Sequence, residues 1–73
     1  MKAWMNILLT NGTQLSTDAK EVTQEESDTG REELREKMLD NWSRVDYLDV
    51  PIEGRSRFVF TKYIMMLDIE TRE

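Results

Sequence analysis

Apolar and polar residues alternate from the first residues of the chain: Ala3, Met5, Ile7 and Leu9 have one parity, and Lys2, Asn6 and Thr10 the other. This period of two is that of a strand with one buried face. Asn11-Gly12 follows, a strong turn signal, and Thr13 to Lys20 then returns as a second strand. A two-residue loop would place Ile7 and Leu9 beside Ser16 and Gln14. A three-residue loop, Thr10-Asn11-Gly12 with Gly12 left-handed, pairs Leu9 with Thr13, Ile7 with Leu15, Met5 with Thr17 and Ala3 with Ala19. The longer loop collects the apolar side chains on one face, so it is the register expected. Trp4 and Leu8 then fall on the opposite face.

The pattern changes after Lys20. Thr23-Gln24-Glu25-Glu26 and Thr29-Gly30-Arg31-Glu32 both fit the capping box, in which a hydroxyl and a Glu three residues on satisfy free backbone N–H groups. Gly30 would weaken a helix begun at Thr23 by about 1 kcal/mol relative to alanine. The expected helix therefore runs from Arg31 to Trp42, with an extra turn before it as an option. Leu34, Met38 and Trp42 recur every fourth residue, Leu39 widens the stripe, and Glu33 can pair with Lys37. Such a stripe is the seam that docks a helix on a sheet.

Strand patterning resumes at Val45 to Val50, which Pro51 is expected to stop because it cannot donate to a ladder. Glu53-Gly54 is the next turn, Arg57 to Phe60 a further strand with Phe58 and Phe60 read as core, Thr61 to Tyr63 a short connector, and Ile64 to Ile69 the last strand. The charged tail Glu70 to Glu73 is expected to fray. The order β-β-α-β-β-β predicts an α+β fold of one domain, residues 1–73: a small antiparallel sheet covered by one helix. A small, partly open SH3-like barrel is the alternative.

Charge alters this picture in one segment. Asp18 to Asp40 carry nine acids and four bases, a balance of −5, which equals the net charge of the whole chain. The acidity belongs to the helical region and repels phosphate. With neither Cys nor His, disulfides and thiolate or imidazole metal sites are excluded. A chain this short folds with a thin margin, and self-association is the supplement left to it. No apolar run approaches the ~20 residues of a membrane span, and the N-terminus is a poor signal peptide, so a cytoplasmic protein is expected.

The chemistry that remains is sparse. There is no base of the usual kind for a nucleophile, and Gly12, Gly30 and Gly54 are isolated turn or cap residues rather than a phosphate cradle. Asp46 and Asp49 point to opposite sides of a strand. No enzyme, cofactor or metal site is expected. Arg44, Arg55, Arg57 and Lys62, interleaved with Phe58, Phe60 and Tyr63, form a candidate single-strand nucleic-acid surface. Glu25, Glu26, Asp28, Glu32, Glu33, Glu36 and Asp40 could imitate DNA and inhibit a nucleic-acid-binding protein.

Two stretches, Ile7-Leu8-Leu9-Thr10-Asn11-Gly12-Thr13 and Phe58 to Asp68, flank the charged helix. This arrangement resembles small uncharacterised proteins encoded by phages and prophages of Gram-positive bacteria. The resemblance implies a compact accessory protein and carries over no functional residue. The leading expectation rests on apolar excess: Trp4, Leu8, Met65, Leu67 and Ile69 are more than one helix can cover. They mark a candidate surface for protein–protein contact, with a partner or with a second copy in a homo-oligomer.

Overall fold

The computed structural model describes residues 1–36 and 44–73. Strand β1 (Lys2–Leu9) is the centre of the larger sheet. On one side it pairs with β2 (Gln14–Ser16) and β3 (Lys20–Glu21), and on the other with β6 (Ile64–Arg72), all antiparallel. A second, two-stranded sheet is the hairpin of β4 (Tyr47–Ile52) and β5 (Arg55–Phe60). Helix α1 (Gln24–Glu36) lies between the sheets in sequence, and a 3₁₀ turn (Thr61–Tyr63) joins β5 to β6. Among the described residues the protein is α+β, with small antiparallel sheets and one helix as the patterning predicts, and the sheets do not close into a barrel.

The first hairpin has the expected register at its tip. Ile7 pairs with Leu15, the Leu9 N–H donates to Thr13 O (2.9 Å), and Gly12 takes φ of 89°, a left-handed conformation that glycine adopts without the strain a side chain would bring. Asn11 Oδ1 accepts from the Thr13 N–H at 2.9 Å and fixes the loop. Farther from the turn the register slips by one: Ala3 pairs with Lys20, where Ala19 was expected. The extra residue lies at the Asp18 corner, between β2 and β3. Asp18 leaves the ladder to hold the second hairpin. Its N–H donates to Pro51 O (2.8 Å), and its carboxylate accepts from the Glu53 and Gly54 N–H groups (2.8 Å each).

That contact also accounts for Pro51, which does not stop β4 but sits within it, opposite Ser56. The nitrogen and carbonyl of one strand residue point to the same edge. Because the Pro51 carbonyl faces Asp18, its nitrogen faces away from β5, and no ladder bond is lost. Glu53 and Gly54 close the hairpin with φ of 53° and 74°, the pattern of a type I′ turn.

The helix begins earlier than the expected Arg31. The first capping box forms: the Glu26 N–H donates to Thr23 Oγ1 (3.1 Å), and the Thr23 N–H donates to Glu26 Oε1 (3.0 Å). Once nucleated, each further residue adds a hydrogen bond, so the helix runs through Gly30 despite its cost. Thr29 thereby becomes an interior residue. Met38, Leu39, Trp42 and the Glu33–Lys37 pair lie outside the described residues, wholly or in part. Ser27 is buried and Leu34 and Gly30 are half-buried, which defines the inward face of the described turns.

The core lies between the two sheets. Ile7 (1% exposed), Val50 and Val59 are buried, with Met5, Leu9, Leu15, Leu48, Ile52, Ile64 and Leu67 packed around them. The apolar face of β1 thus meets the aliphatic face of the β4–β5 hairpin. Thr61 is buried at the junction, its N–H donating to Asp46 O (3.0 Å) and its hydroxyl to Val45 O.

Candidate interaction surface

The five apolar residues singled out in the sequence do not share one surface. Trp4 and Leu8 lie on the outer face of the larger sheet, as expected, but Leu67 pairs with Ile7 and Ile69 with Met5 on the inner face. A register shift between Leu8 and Leu9 is the reason: Leu8 pairs with Met66 and Leu9 with Ile64, leaving Met65 as the extra, exposed residue. Met66, rather than Leu67, therefore joins Trp4 and Leu8 outside. This outer face is not bare grease. The Ser16 hydroxyl donates to Asn6 Oδ1 (2.8 Å), Asn6 Nδ2 donates to Glu70 Oε1 (3.1 Å), and the Arg72 guanidinium lies 5.7 Å from the Trp4 ring centre. Cation–π and polar contacts cover the half-buried indole.

The contiguous apolar surface is elsewhere. On the hairpin, Leu48 pairs with Val59, Val50 with Arg57 and Ile52 with Arg55 facing inward. Alternation then turns Tyr47, Asp49, Pro51, Ser56, Phe58 and Phe60 outward. Tyr47, Phe58 and Phe60 are 52%, 62% and 54% exposed, so Phe58 and Phe60 are surface residues and not core. Tyr47 and Phe58 meet edge to face, ring centres 5.3 Å apart. This pairing is one of the favoured aromatic geometries, and each ring restrains the other. The signal was present in the sequence. A two-residue loop at Glu53-Gly54 puts Val59 opposite Leu48, and that register expels both phenylalanines.

The charged candidates can be placed in the same way. Arg55 and Arg57 lie across the hairpin from Phe58 and Phe60, so the bases and the aromatic platform occupy opposite faces. Lys62 Nζ stands 5.0 Å from the Tyr63 ring centre, and Arg44 is exposed. On α1, Glu25, Glu26, Asp28, Glu32, Glu33 and Glu36 are all exposed, and Asp40 lies outside the described residues. At about 100° per residue these six acids span an arc of about 160° opposite Ser27 and Leu34. Glu26 is held below the ordinary glutamate range by the hydrogen bonds from the Thr23 backbone and side chain. Glu21 is lowered by its contact with the N-terminal ammonium at 2.7 Å.

Among the described residues no group of three or more acidic side chains converges where a metal ion could sit. No helix there is long and apolar enough to cross a membrane. No family model, curated protein or solved structure matches the chain.

Proposed function

We propose that this chain is a non-enzymatic, cytoplasmic interaction protein that engages a protein partner through Tyr47, Phe58 and Phe60. The exposed aromatic face of the β4–β5 hairpin carries the reading. Aromatic residues are enriched in interfaces, and three on one small face is more than an isolated surface usually leaves in water.

A photo-crosslinking residue at position 58 tests the proposal. The expected result is one discrete adduct in the native host, with a partner or with a second copy, lost when Phe60→Ser removes the neighbouring ring. Adducts that are diffuse, or that persist in the Phe60→Ser protein, would refute it. A second reading, mimicry of DNA, draws on the acidic arc of α1. Reversing Glu25, Glu32 and Glu36 to lysine would abolish inhibition of a DNA-binding protein by a true mimic. A merely solvated helix would tolerate the change.

A further inference from the structure

The hydrogen-bond pattern of β1 reveals which backbone groups of β6 remain open. The Thr13 carbonyl accepts from the Leu9 N–H, the Met5 carbonyl accepts from Thr17, and the Met1 carbonyl accepts from Val22. The odd residues of β1 thus bond toward β2 and β3, so its even residues bond toward β6. Their partners Met66, Asp68, Glu70 and Arg72 turn their N–H and carbonyl groups to β1. Leu67, Ile69 and Thr71 turn theirs away. Among the described residues nothing pairs with that side of β6.

The other edges are managed differently. The β2–β3 edge is short, broken at Asp18 and tied to the hairpin turn, and the outer edge of β4 carries Pro51 against Asp18. These are the usual devices that blunt an edge. Among the described residues the outer edge of β5 is also unpaired, but it is six residues long against nine for β6.

Charge decides what the β6 edge can accept. A second copy pairing through all three open residues would set Ile69 opposite Ile69 and Leu67 opposite Thr71. That register places Asp68 directly opposite Glu70 twice, and like charges so placed oppose the pairing. A strand with basic residues at alternate positions meets Asp68 and Glu70 favourably, its backbone completing the bonds of Leu67, Ile69 and Thr71. We propose that β6 is a site of β-strand addition for an extended, alternately basic segment of a partner protein. This site is separate from the aromatic face and does not depend on it.

An acetylated and amidated six-residue peptide of alternating valine and lysine is the probe, with glutamate replacing lysine as the control. Amide exchange of Leu67, Ile69 and Thr71 should slow twofold at half saturation, while Met66, Asp68, Glu70 and Arg72, already bonded to β1, stay unchanged. Asp68→Lys should weaken the lysine peptide about fivefold, and Thr71→Pro should remove binding without disturbing the β1 ladder. Should Thr71→Pro fail to fold, the exchange pattern of the wild-type protein still decides. No protection of the three amides, equal binding of the glutamate peptide, or protection that rises with protein concentration alone would each overturn the proposal, the last in favour of a second copy. Loss of position-58 crosslinks with this pattern intact would refute only the aromatic reading.

Discussion

Replacing Asp18 with alanine removes the clasp between the two sheets. The wild-type carboxylate accepts from the Glu53 and Gly54 N–H groups at 2.8 Å each, an arrangement equivalent to a helix N-cap. A capping bond of this kind contributes about 0.5–2 kcal/mol. Asp18 is exposed, so its two bonds together should stabilise by about 1.5–2 kcal/mol and not by the larger sum of two buried ones. At about 4–8 °C per kcal/mol in a domain of this size, Asp18→Ala should lower Tm by roughly 6–16 °C. Asp18→Asn keeps one acceptor oxygen and should lose about half of that. Thermal unfolding followed by circular dichroism measures the shift, and amide exchange should quicken at Glu53 and Gly54. The backbone bond from Asp18 to Pro51 O persists in both variants, so the loss belongs to the carboxylate. A Tm within about 2 °C of wild type would refute the clasp and leave the hairpin held by apolar packing alone.

Glu53 occupies the left-handed region at φ 53°, which costs a side-chain-bearing residue about 1–2 kcal/mol. Glu53→Asn should recover about 0.5–1 kcal/mol, because Asn-Gly suits a type I′ turn, and a chemical denaturation midpoint that rises without a change in slope would show it. Ile7 is the most buried of the described core side chains, and Ile7→Ala should cost about 2–5 kcal/mol, enough in so small a domain to leave much of it unfolded in a denaturant titration. Acid should loosen the helix start. Glu26 is depressed in the folded chain, so its contribution is present above the unfolded glutamate pKa and fades as pH falls through the lower folded value. Carboxyl NMR should show Glu26 titrating below the ordinary glutamate range, and Thr23→Ala should raise it only part of the way, because the backbone N–H of residue 23 still donates to the carboxylate.

Much of the fold was legible along the chain because short-range rules wrote it. Period-two alternation marked the strands, Asn11-Gly12 selected a three-residue loop, and the Ile7–Leu15 pairing followed from keeping apolar residues on one face. Glu53-Gly54 marked the second turn, and Thr23 with Glu26 carried a complete helix-start signal, although Gly30 weighed against it. The acidity of α1 and the lack of Cys and His were likewise properties of composition.

Tertiary structure decided the rest, because those outcomes depend on which elements meet. Asp18 reads locally as one more strand residue, and only the approach of the Glu53–Gly54 turn makes it a clasp and shifts the register behind it. The bulge at Met65 reverses the parity of β6, sending Leu67 and Ile69 inward and Met66 outward. Phe58 and Phe60 are as apolar as any core residue, yet the aliphatic side of their hairpin took the place against β1 and left them in water. Local sequence sets which side chains share a face. Which face is buried is settled by the competition among all faces for one small interior.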